Sequence, residues 1–229
     1  LFNGVTANDL ISPPVANQEF GDFASNNPNI FENPNDNNQK LFGPFDEPNG
    51  AYEIYSIIDN SLTIINSGVG YRAARDASED GISGTTFTFE GDLQTNSVIV
   101  NLTDTNGSYY EGWNLVGNPY SSYIDFDTFF SLNNLELDEG SYKAVYGYDG
   151  DANNGWTILN SVTTGQLIAP GQGFYVRSKT GGGSVTFTPE MRVGGSSDDF
   201  ILGRSASNQS AHFGHITLNS SSSSDSYNT

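Results

Sequence analysis

Ala169-Pro170-Gly171-Gln172-Gly173-Phe174-Tyr175-Val176-Arg177 reads as a glycine turn running into a strand. Phe174 and Val176 fall on one side of that strand, Tyr175 and Arg177 on the other. The same punctuation stands earlier as Ser67-Gly68-Val69-Gly70-Tyr71, a spacing of roughly 100 residues. Working outward, the flanking blocks match in the same order. Leu10 to Val15 stands where Val116 to Tyr120 stands, and Phe20 to Phe23 where Phe126 to Phe129 stands. Leu41 to Asp46 answers Val145 to Asp149, Asn49 to Tyr52 answers Asn154 to Trp156, and Thr86 to Phe89 answers Val185 to Thr188. Ordered matching of this kind marks a duplication.

The blocks have strand chemistry. Phe87 and Phe89 alternate with Thr86 and Thr88, and Val185 and Phe187 with Thr186. Asn49-Gly50 and Asn153-Asn154-Gly155 are hairpin turn signals. Asp125 to Leu132 is the exception: Asp125 caps a short helix in which Phe126, Phe129 and Phe130 share a face. The expected fold is therefore all-β and β-sandwich-like, two tandem diverged strand-rich repeats with one short helix in each. The first repeat spans 1–110 and the second 111–193. Residues 194–229 form a linker, one strand at His212 to Asn219 and a serine-rich tail. The opening at Leu1 and the polar ending are expected of a piece processed from a longer protein.

Composition narrows the partners. With 27 acidic and 8 basic residues among 229 the net charge is −19. Nucleic acid needs clustered Lys and Arg and is not an expected partner. No apolar run is long enough for membrane insertion. Cysteine is absent, which removes disulfides and thiolate chemistry. Phe and Tyr are abundant, 15 and 12 residues, so a few rings per strand can fill a core poor in Leu.

Trp113 to Tyr120 and Ile168 to Val176 resemble a module common in secreted Bacteroidota proteins, large surface proteins and extracellular polysaccharidases that leave the cell by type IX secretion. Ile11 to Val15 resembles the opening of the same arrangement, and His212 to Asn219 the strand that follows it. The resemblance covers most of the chain. It implies an extracellular or outer-surface location, export by the type IX machinery through the parent chain, and no catalytic role.

No catalytic constellation stands out, and a non-enzyme is expected. His212 and His215 fall on opposite faces of a strand and share no metal. A nucleophile elbow is absent. Calcium is the best cofactor candidate: Asp149, Asp151 and Asn153 place oxygen donors at alternate positions of one loop, although Asn154 and Asn160 break the EF-hand pattern. Turn geometry explains the same residues. Asp76 with Glu79-Asp80, and Asp198-Asp199, are weaker candidates. Trp113, Trp156, Tyr109, Tyr110, Tyr120 and Tyr123 are rings of the kind that stack on carbohydrate, and of these Tyr109 and Tyr110 follow a turn and are the ones expected at the surface. Trp113 and Trp156 sit in repeated strand blocks and are expected in the core. The leading expectation is a structural or adhesive surface module that contacts polysaccharide or other surface proteins. The alternative is a carbohydrate-binding accessory of a secreted polysaccharidase.

Overall fold

The alternation and the turns build the same sheet twice. The computed structural model describes residues 5–76, 86–148 and 155–195. The first copy runs β1 (Val5–Ile11), β2 (Val15–Ala16), α1 (Phe20–Asn26), β3 (Glu32–Asn33), β4 (Asp36–Lys40), β5 (Phe42–Asp46), β6 (Ala51–Tyr52), β7 (Tyr55–Ser56), β8 (Tyr71–Asp76), β9 (Asp92–Leu93) and β10 (Val98–Leu102). The second runs β11 (Trp113–Gly117), β12 (Tyr123–Asp125), α2 (Phe126–Asn133), β13 (Val145–Tyr148), β14 (Trp156–Leu159), β15 (Leu167–Ile168), β16 (Gly173–Arg177), β17 (Gly183–Phe187), a 3-10 turn at Pro189–Met191, and β18 (Arg192–Val193). Two four-stranded antiparallel sheets have the orders β1-β8-β5-β6 and β11-β16-β13-β14. These are one topology, strand for strand. Ile11 opposite Tyr71 corresponds to Val116 opposite Phe174, and Phe45 opposite Tyr52 to Tyr148 opposite Trp156. The three-stranded β3-β4-β7 sheet is an embellishment of the first copy.

Each copy lays its helix on one face of its sheet. α2 is capped by Asp125, which accepts from the Thr128 backbone N–H at 2.8 Å. α1 has no side-chain cap; it starts where Phe20 N–H donates to Thr63 O, as Phe126 N–H donates to Gln166 O. Phe20 and Phe23 of α1 pack on Phe42 at 5.4 and 5.0 Å, and Phe42 stacks on Tyr71. Phe129 of α2 packs on Phe174 and Phe187. Tyr71, Phe87, Phe174 and Phe187 are all buried, as their strand phase predicts.

A buried asparagine closes each copy. The Asn27 amide donates to Phe23 O and Thr88 O, and its Oδ1 accepts from Thr88 N–H. Asn133 makes the same three bonds to Phe129 O, Thr186 O and Thr186 N–H. Thr88 is thus the counterpart of Thr186, which corrects the sequence matching by one residue: Thr86 to Phe89 lies on Ser184 to Phe187. The reason is the two-residue period of a strand, which turns every side chain over when the register slips by one. Phe87 and Phe89 keep the core face only in the corrected register.

The two copies meet about an approximate twofold axis. Ile11 bridges Gln172 while Val116 bridges Val69, and these pairs exchange under the equivalence of the copies. Ser12 N–H donates to Gly171 O at 2.8 Å, and Gly117 N–H to Gly68 O at 2.9 Å. This is the self-complementary contact of a symmetric dimer, made within one chain. It explains the second glycine of each turn. A Cβ on Gly70 would lie 2.5 Å from Leu115 Cγ, and one on Gly173 would lie 2.8 Å from the Leu10 carbonyl carbon. Between the inner faces of the two sheets, Leu10, Leu115 and Tyr175 form a third core. The layers therefore run helix, sheet, sheet, helix, with a β-sandwich at the centre.

Candidate functional site

The third core is aromatic and reaches the surface. On β16, Phe174 and Val176 enter the α2 core, so Tyr175 points between the sheets. Its counterpart on β8 is Arg72. The Tyr175 hydroxyl donates to Tyr52 Oη at 2.5 Å, and the Arg72 guanidinium lies 4.3 Å over the Tyr52 ring. Burial raises the pKa of both phenols above the ordinary tyrosine value and lowers that of Arg72, so the pair stays neutral beside a desolvated cation. Phe45 stands edge to face against Tyr175 at 5.4 Å and Tyr110 at 5.8 Å, and Trp156 leans on Tyr175 at 5.8 Å. The result is a run of touching rings from Tyr109 through Tyr110, Phe45 and Tyr175 to Trp156.

The loop that carries its first rings is fastened from below. Glu47 is buried, and its Oε1 accepts from Thr105 N–H at 3.1 Å and Gly112 N–H at 3.0 Å. The Glu47 carbonyl accepts from Ser108 Oγ. Asn114 ties Thr103 to Gly112 from the other side. Held at both ends, the loop leaves Tyr109 90% exposed and Tyr110 42% exposed. Tyr110 rests on Gly50, where a Cβ would come within 2.7 Å of its ring. The Asn49-Gly50 turn of the first copy is therefore also the seat of a ring from the loop that follows β10.

A sequence model for a family described only as a domain of unknown function, DUF8693, matches residues 9–229. The chain belongs to the DUF8693 family. No curated protein and no solved structure matches it. In this DUF8693 chain the match runs through both copies, so the family unit is the duplicated module rather than one repeat.

Of the rings singled out by sequence, the DUF8693 fold brings Tyr109, Tyr110, Trp113 and Trp156 to the inter-sheet cluster or its rim. Trp156 corrects an expectation: it is 46% exposed rather than core. Its strand, β14, is the outer strand of its sheet, and among the described residues the indole packs on the rings of Tyr148 and Tyr175. Trp113 is half-buried against Tyr146, Tyr142 and Tyr175. Tyr120 is elsewhere, fully buried, with its hydroxyl donating to Asn96 O and its pKa pushed up to about 12 by burial. Phe45, Tyr52, Tyr142 and Tyr175 were not singled out by sequence, yet they connect the exposed rings. For Phe45, Tyr52 and Tyr175 the signal was the outward phase of their strands, whereas Tyr142 lies in the turn before β13. The calcium candidates Asp149, Asp151 and Asn153 lie outside the described residues, as do Glu79, Asp80, Asp198, Asp199, His212 and His215. Among the described residues no three His, Asp or Glu side chains gather to hold a metal.

Proposed function

We propose that the chain is a non-catalytic module of a secreted or cell-surface protein, with a structural or adhesive role in a larger exported polypeptide. The observation that carries the reading is the aromatic rim. A rigid sandwich, fixed by its own internal twofold, presents Tyr109, Tyr110 and Trp156 at the surface although ample core is available elsewhere. Exposed rings on a fixed frame are contact groups for a partner. The resemblance to Bacteroidota modules supports an extracellular or outer-surface location and export by type IX secretion. The acidic surface supports a calcium-dependent contact.

The exposure of Trp156 favours a second reading, a carbohydrate-binding accessory of a polysaccharidase, because an indole face is a good stacking surface for a sugar ring. One experiment tests both. Wild-type protein and the Tyr109→Ala/Trp156→Ala variant are applied to a glycan array and to protein-coated surfaces, with and without calcium. Glycan binding lost in the variant selects the accessory reading. Retention on protein alone, lost in the variant, selects the adhesive one. Cleavage of any arrayed glycan overturns the non-catalytic assignment, and binding unchanged in the variant removes the rim from both readings.

A further inference from the structure

Among the described residues the twofold leaves one edge without a paired strand. In the second copy, β10 lies antiparallel to β17, with Val98 opposite Phe187 and Val100 opposite Val185. Val98 and Val100 pack on that core, and Phe187 is fully buried beneath them. β10 comes from the first copy's side of the chain: it follows β9, which pairs with β2. The chain leaving one copy thus covers the other.

In the first copy, residues 86–90 occupy the place of β17, yet among the described residues no strand pairs with them. Thr88 turns its N–H and C=O to Asn27, so the backbone groups of Phe87 and Phe89 point the opposite way, toward the open edge. Phe89 is only half-buried, whereas its counterpart Phe187 is covered. Symmetry says what belongs there. β18 is the counterpart of β9, pairing with β12 as β9 pairs with β2. Four residues, 94–97, join β9 to β10, and the same spacing after Val193 reaches residues 198–202. Those residues are Asp198-Asp199-Phe200-Ile201-Leu202. Phe200 and Leu202 stand where Val100 and Leu102 stand in β10. Asp198 stands in the place of Val98, which is half-buried at the end of its strand.

We infer that the edge at 86–90, unpaired among the described residues, is a strand-accepting surface and that its occupant is this chain's own segment 198–202, paired antiparallel with Phe200 opposite Phe87. The added strand closes an exposed edge and covers Phe89.

The chain has no cysteine, so paired cysteines report the register without background. Ile99 faces Thr186 in the ladder that is present, and the corresponding pair is Asp199 with Thr88. In the full chain, mild oxidation of Thr88→Cys/Asp199→Cys should close a disulfide within the monomer to the extent seen for Ile99→Cys/Thr186→Cys, read by intact mass and non-reducing electrophoresis. Thr88→Cys/Ser205→Cys, out of register, should remain reduced. Adding Phe200→Asp should abolish the first cross-link and leave the Ile99/Thr186 benchmark, which shows that the protein is still folded. No cross-link, equal cross-linking of the out-of-register pair, or a disulfide-linked dimer in which a second copy supplies the strand, each overturns the inference.

Discussion

Replacing Asn133 by Ala should be among the most damaging single changes in the chain. Asn133 is fully enclosed, and its amide satisfies Thr186 N–H at 2.7 Å, Thr186 O at 3.0 Å and Phe129 O at 2.9 Å. The backbone N–H and C=O of Thr186 point away from β10, toward Asn133, so among the described residues no strand is available to replace those bonds. A net hydrogen bond contributes about 1 kcal/mol, and a buried group left without a partner costs about 1–3 kcal/mol. The Phe129 carbonyl can fall back on helix bonding, leaving the two groups of Thr186 orphaned. The expected loss is about 3–4 kcal/mol, set chiefly by those two groups. The Asn27→Ala change removes the same pattern in the first copy, but there Thr88 is exposed and water can reach its backbone. Its loss should be nearer 2 kcal/mol. Urea unfolding followed by tryptophan fluorescence and by circular dichroism gives both values, with coincident transitions required for a two-state treatment. A loss below 1 kcal/mol for Asn133→Ala, or a larger loss for Asn27→Ala, would refute the reasoning that these asparagines substitute for a missing strand.

Gly173→Ala should cost more than about 1–3 kcal/mol, the usual range for overpacking, because its Cβ meets the backbone of Leu10 and Ile11 within 3.0 Å rather than a movable side chain; chemical denaturation at the level of Gly194→Ala, which has open space around it and no left-handed backbone, would show the crossing to be pliable. Phe187→Ala should lose roughly 3–5 kcal/mol, and Phe89→Ala clearly less since its ring is half exposed; equal melting-temperature shifts would count against the difference in cover. Asp9 has a pKa raised to about 6 by burial, opposed by Arg75. A folded pKa above the unfolded one means that the folded state holds its proton longer, so stability falls as pH rises from about 4 to 6 and stays lower above. Asp9→Asn should flatten that window and stabilise the protein at pH 7 by at most about 3 kcal/mol, less because Asp9 is partly exposed; an unchanged pH profile from urea midpoints would exclude Asp9 as its source.

The sequence by itself determined the repeat, the all-β class, the helix at Asp125 and the inward phase of Phe87, Phe174 and Phe187. These follow from local rules: a two-residue period fixes the face of each side chain, a carboxylate caps a helix start, and glycine marks a turn that other residues resist. Gly171 was readable as a turn on those grounds. Gly173 was not readable as the crossing point of two copies, since what crowds it is Leu10, far away in the chain. Trp156 shows the same limit from the opposite side. Alternation says which way an indole points, and only the partner sheet decides whether anything covers it. Tyr52 and Tyr175 lie in different copies and meet at a hydroxyl hydrogen bond that no spacing announces. The one-residue shift of Thr86 to Phe89 was likewise settled by a side chain, Asn27, whose amide holds Thr88 from a helix end. Periodicity is a property of one segment, whereas cover, crossing and register depend on which segments meet, and that was decided by the burial of two aromatic cores about a common axis.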